Sequence, residues 1–174
     1  MMAGFSRRTI FVRSILLLGA VVALTGKVGF AALVVEPAGP SSRKTPFVFT
    51  EIMYNPATIT VVTNGSTNKL STEFLELYNS NPFYEDLSGF RITGEIEFTF
   101  PKGFGLNGLS RVVLAKNTND FQACYNLAGG TLLQYGVSDG TNIVNSLSRA
   151  GMIRLRNNSG GVVLEVNYDN DNPW

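Results

Sequence analysis

The sequence predicts an all-β sandwich with one short helix. Three observations carry that expectation. Apolar side chains recur with a period of two, most clearly over residues 95–101, where Ile96, Phe98 and Phe100 share one face and Glu95, Glu97 and Thr99 the other. Turn residues punctuate the chain at short intervals: Asn55-Pro56, Asn81-Pro82, the glycine-rich stretch 103–108, and Asn158-Ser159-Gly160-Gly161. Only 16% of the 174 residues are charged and eighteen are glycine, a balance that favours strands and turns over helices.

The elements follow in chain order. Residues 47–53 form a first strand stopped by Asn55-Pro56, and residues 73–79 (EFLELYN) a second stopped by Asn81-Pro82. Residues 87–93 read as a third and residues 95–101 as a fourth. Residues 111–116 (RVVLAK) follow the glycine-rich turn. Residues 119–127 suit a short helix with Asn117 or Asn119 as N-cap and Phe121, Tyr125 and Leu127 turned inward. Strands return at 152–157, with Ile153 and Leu155 opposed to Arg154 and Arg156, and at 162–168, with Val162, Leu164, Val166 and Tyr168 on one face. The polar stretch 57–71 contains Asn64-Gly65 and is either a protruding hairpin or a mobile loop.

Ahead of these strands the chain changes character. Arg7, Arg8 and Arg13 precede an apolar run from residue 15 to 24, followed by the small-residue stretch Gly29-Phe30-Ala31-Ala32. This is the layout of a helical secretory signal over residues 1–32, with cleavage expected after Ala31. Ser6-Arg7-Arg8-Thr9-Ile10-Phe11 resembles a twin-arginine export signal, and an ordinary Sec signal fits the same residues equally. The run is short against the roughly 20 apolar residues of a membrane span, so an uncleaved anchor is the lesser alternative. No cysteine closes the run, which excludes a lipoprotein anchor. Residues 33–46 read as a flexible linker and 47–174 as the domain. The expected location is outside the cytoplasm: secreted, periplasmic or at the cell surface. Contact with a membrane is expected only through an uncleaved signal.

Composition excludes several function classes. The chain has no histidine, so a Ser-His-Asp triad, a Cys-His pair and histidine-based zinc or haem sites are ruled out. Cys124 stands alone and cannot form an internal disulfide; it reads as a small buried apolar residue of the helix. The net charge of +1 conceals two unlike parts. Residues 1–31 hold four basic groups and no acid, leaving ten basic and thirteen acidic groups beyond them, a net of −3. An acidic domain offers no electrostatic ground for nucleic-acid binding.

The ordered motifs resemble one family. Thr50-Glu51-Ile52-Met53-Tyr54-Asn55-Pro56, then Glu73-Phe74-Leu75-Glu76-Leu77-Tyr78-Asn79, then Asp86-Leu87-Ser88-Gly89-Phe90 are similar to the lamin tail domain in its bacterial form. Phe98-Thr99-Phe100-Pro101-Lys102-Gly103, Val112 to Asn117, Leu147 to Gly151, Ile153 to Arg156, and Gly161 to Val166 continue the match up to Tyr168-Asp169. The resemblance spans residues 48–174 and implies an immunoglobulin-like sandwich of seven to nine strands. It also implies a non-enzymatic module that binds or positions other molecules. Two readings stay open: a free-standing exported binding, adhesion or structural module, or an accessory domain (or fragment) of a longer exported enzyme such as a nuclease, phosphatase or spore-coat-type kinase.

Candidate site residues are few, and each has a bland reading. Glu73 and Glu76 stand three apart in a strand and so point to opposite faces, which argues against paired acid–base work and leaves them as a solvated edge or as partners for backbone amides near the sandwich rim. Asp169 and Asp171, in the run Asp169-Asn170-Asp171-Asn172, offer hard oxygens to calcium, against a solvated turn. Arg154 and Arg156, with Arg149 and Arg91 nearby, form either an anionic docking patch or a sheet face balanced by Glu165. Tyr54, Phe83, Tyr84 and Trp174 lie at strand ends or in loops, where aromatic side chains anchor partners or plug the ends of a core. Asn64 and Asn157 head glycosylation sequons, discounted because the export signal looks bacterial. The expected partner is a protein or a cell-surface polymer, with no cofactor required.

Overall fold

The computed structural model describes residues 39–138 and 143–171. The expected signal segment, residues 33–38 of the linker and Trp174 lie outside them.

Two four-stranded sheets carry the fold. The first has the order β1 (Phe47–Met53), β4 (Phe74–Asn79), β9 (Arg111–Ala115), β10 (Thr131–Gln134). The second has the order β14 (Val162–Tyr168), β13 (Gly151–Arg156), β6 (Arg91–Gly94), β7 (Phe98–Thr99). Three short ribbons complete it: β2 (Thr60–Thr63) with β3 (Ser66–Lys69), β5 (Glu85–Asp86) with β8 (Gly105–Leu106), and β11 (Val137–Ser138) with β12 (Ile143–Val144). The fold is an immunoglobulin-like β-sandwich.

The period-two pattern sets the core. Leu75 and Leu77 of β4, Val112 and Leu114 of β9, Ile92 of β6, Ile153 and Leu155 of β13, and Leu164 of β14 meet in one buried cluster. Ile96 and Phe100 close it with no exposed surface to speak of. A smaller cluster lies on the other face of the first sheet, where Phe74, Val113 and Ala115 pack against Phe121 of the helix α1 (Thr118–Cys124). Strands β4 and β9 are therefore buried on both faces, which is why 112–115 (VVLA) is an unbroken apolar run.

Asn117 is the N-cap, its Oδ1 accepting from the amides of Asn119 and Asp120. The helix has a topological cause. β10 runs parallel to β9, and a parallel neighbour needs a crossover, here residues 116–130 with α1 in the middle.

The stretch 57–71 is a hairpin. Asn64 (φ 53°) and Gly65 (φ 77°) form its two-residue turn, the left-handed pair that suits the twist of antiparallel strands.

Two strands are shorter than their sequence pattern. Residues 87–90 form a turn, with the Phe90 amide donating to the Leu87 carbonyl and Gly89 at φ 72°, so pairing begins only at Arg91. Over 95–101 the faces alternate as expected, but only Phe98 and Thr99 join a ladder. The reason lies in Asn145, held at φ 74°. Its Oδ1 accepts from the Glu97 amide at 3.1 Å and its Nδ2 donates to the Glu97 carbonyl at 2.8 Å, so one side chain satisfies both groups that a partner strand would take. The same Nδ2 donates to the Tyr135 carbonyl at 3.0 Å.

Gly94 shows where backbone approach is closest. It sits at φ 111°, and a Cβ there would run into the Met152 carbonyl. Gly94→Ala is expected to lose about 2 kcal/mol by combining a forbidden dihedral with that clash. Urea unfolding checks it, and a wild-type midpoint would contradict the assignment.

Candidate functional site

Strands β1 and β14 are edges of opposite sheets, and among the described residues each pairs on one side only. They run close along one flank of the sandwich and border a groove of about 360 Å³. Its walls are Phe49, Ile52 and Tyr54 from the β1 side and Val166 and Tyr168 from β14, all half-buried or buried. Glu51 and Asp169, both exposed, form an acidic rim. The Tyr54 and Tyr168 rings pack 5.9 Å apart at 36°.

Tyr168 is fixed by its hydroxyl, which donates to the Ser148 carbonyl at 3.0 Å. Burial, reinforced by the negative charge of Glu95, pushes its phenol up to about 12. Burial and the neighbouring Glu73 carboxylate push the Tyr135 phenol up as well. Both groups stay protonated in the folded chain at pH values where an unfolded chain has begun to ionise. Their contribution is therefore complete below about pH 10 and is lost as pH rises toward the folded values. Stability should decline from about pH 10 upward, and less steeply in Tyr168→Phe. Urea midpoints between about pH 9 and 11 measure it; identical slopes in the two chains would contradict the reading.

The structure sorts the sequence candidates into separate places. Tyr54 and Asp169 come together in the groove. Phe83 and Tyr84 are 69% and 59% exposed and lie elsewhere, on the turn that covers Gly105 and Gly108. Arg154 and Arg156 lie on the outer face of the second sheet. Arg154 Nε pairs with Glu165 Oε2 at 2.6 Å, while Arg156 donates to Thr93 Oγ1 and the Gly160 carbonyl and stands opposite Arg91. Asp169 Oδ1 accepts from the Asp171 amide at 3.0 Å, a local turn. Among the described residues no group of three or more Cys, Asp or Glu converges to hold a metal ion. Cys124 is half-buried rather than buried, because it falls in the last turn of α1 while Phe121 takes the inward position.

Glu73 and Glu76 serve different partners. Glu76 accepts from Thr50 Oγ1 at 2.7 Å and pairs with Arg111 at 3.4 Å. Glu73 takes Lys116 Nζ at 2.9 Å, the Leu147 amide at 2.8 Å, the Ser146 hydroxyl and the Tyr135 hydroxyl. Both oxygens of Glu73 are engaged in holding the rim of the sandwich, an amide partner of the kind its sequence position suggests.

A family model described as Lamin Tail Domain matches residues 40–170. The chain belongs to the lamin tail domain family. That family is a non-enzymatic immunoglobulin-like domain, so this lamin tail domain is a binding or structural module in general terms. The match begins ahead of β1 and takes in the whole groove. A search of curated proteins finds no match to the chain. Sequence reading named Tyr54 and Asp169 but missed Phe49, Glu51, Ile52, Val166 and Tyr168. Their signal was present, since each lies on a strand without a partner on one side, but strand order cannot be read locally.

Proposed function

We propose that this lamin tail domain is an exported, non-catalytic module that binds a protein or a cell-surface polymer outside the cytoplasm, as an adhesion or structural unit. The observation that carries the binding reading is the groove between β1 and β14: an apolar floor with an acidic rim, open along two strand edges. The export reading is supported by the basic, apolar and small-residue order of residues 1–32. The non-catalytic reading is supported by the absence of histidine and by Glu73 and Glu76 being committed to structural partners.

Fractionation of the native host followed by intact-mass measurement tests the export reading. The expected product lies outside the cytoplasm and runs from near Ala32 to Trp174. A cytoplasmic product retaining Met1 defeats it, and a mass well above the encoded chain transfers the question to a longer enzyme. Retention of the isolated chain on the host's envelope fraction tests the groove. Val166→Lys should abolish it, and unchanged retention would place binding on another surface.

A further inference from the structure

The two strand edges that border the groove are not equivalent. β1 is blunted by a bulge, since its register with β4 shifts between Phe49 and Glu51 and leaves Thr50 as the extra residue. β14 is regular against β13 from Leu164 to Tyr168, and its own irregularity lies at the far end, by Arg156 and Val162. Residues 39–46 flank that far end, where Pro40, Lys44 and Pro46 border a hollow with Val162 and Val163. Among the described residues the unpaired, straight part of the edge is thus 164–168, a length that matches an ordinary strand of about five residues. It is also the part that borders the groove.

Charge narrows the occupant. Glu51 and Asp169 line the groove, no Lys or Arg does, and neither acid has an ion-pair partner among the described residues. The two cations of the neighbouring strand are already engaged, Arg154 by Glu165 and Arg156 by Thr93 and the Gly160 carbonyl. An occupant must supply apolar side chains to Phe49, Ile52 and Val166 and positive charge to the rim. A strand presents those two kinds of group alternately.

We propose that residues 164–168 of β14 accept an added strand from a partner protein, an extended segment in which apolar residues entering the groove alternate with Lys or Arg. The backbone ladder supplies affinity, and the groove and its acidic rim supply selectivity. This rests on the binding-module reading and names its partner class.

The test uses the chain as isolated from its host and blocked heptapeptides in which Lys and Val alternate, followed by NMR and amide exchange. The alternating peptide should shift and protect amides at 164–168. It should bind at least roughly tenfold more tightly than an isomer with its valines contiguous. Alternate amides of an added strand face the edge, so N-methylation of one alternate set should abolish binding and of the other set spare it. Glu51→Lys with Asp169→Lys, both at exposed positions, should weaken binding at least roughly tenfold without unfolding the chain. Equal binding of the two isomers, equal effects of the two N-methylated sets, or shifts centred on Phe83 and Tyr84 would each overturn the proposal. So would protection of 164–168 without peptide in a concentration-dependent dimer, which would assign the edge to a second copy. If the peptides fail while envelope retention still depends on Val166, only the added-strand proposal falls and the module reading stands.

Discussion

Glu73→Leu is expected to cost about 4 kcal/mol of folding stability, the size of loss seen when one partner of a buried ion pair is removed. The side chains of Lys116 and Glu73 are only 15% and 14% exposed, so the leucine leaves an ammonium group largely cut off from water. It also strips the Leu147 amide and the Tyr135 hydroxyl of their acceptor. Tyr135 is itself only 1% exposed. Glu73→Gln keeps the shape and should lose less. The double variant Glu73→Leu, Lys116→Met should recover part of the loss, because both charges are then gone, with a coupling of about 1–3 kcal/mol. Urea unfolding of the four chains gives the cycle. A cost for Glu73→Leu below about 1 kcal/mol would mean that the cluster is wetter than its geometry implies.

Asn79→Ala should cost about 3 kcal/mol, and Asn79→Asp, its nearest isostere, should cost more. Asn79 is wholly buried at the end of β4. Its Nδ2 lies against the carbonyls of Phe83 (2.8 Å), Leu106 (3.2 Å) and Asn107 (3.2 Å), and its Oδ1 accepts from the Asn81 amide at 3.0 Å. One amide thereby ties the turn carrying Phe83 and Tyr84 to the end of β8. Alanine leaves those groups without partners. Aspartate does worse, since it sets a carboxylate against three carbonyl oxygens where a donor is required. The aspartate variant should therefore gain stability on acidification, because protonation restores a donor; its folded-state carboxyl titrates above the unfolded one. Thermal melts at pH 4 and pH 7 separate the outcomes. If Asp were as stable as Asn at pH 7, the amide would not be the donor in this hub.

These two residues show how far local reading reaches. Asn79 shares the parity of Leu75 and Leu77, so its place on the core side of the strand was legible in EFLELYN. Its three carbonyl partners were not, because two of them come from the β8 loop. Glu73 was legible as the head of a strand, with a solvated edge and an amide partner near the sandwich rim both open. The identity of that amide, Leu147, depends on a contact across much of the chain.

What the sequence determined by itself was everything set by near neighbours. The alternation of Ile96, Phe98 and Phe100 is legible outright, the cap narrows to Asn117 or Asn119, and 57–71 stands between a hairpin and a loop at Asn64-Gly65; all three depend on residues within a few positions of each other. The ordered motifs also placed the family. Tertiary structure decided the pairing. It made β10 a parallel neighbour of β9, gave the backbone of Glu97 to Asn145 instead of a strand, and set β1 beside β14 across the two sheets. The groove that unites Tyr54 with Asp169 exists only because of that last choice. Strand order depends on which buried faces fill one another's space, and that energy is shared among residues distant in the chain, so no local pattern records it.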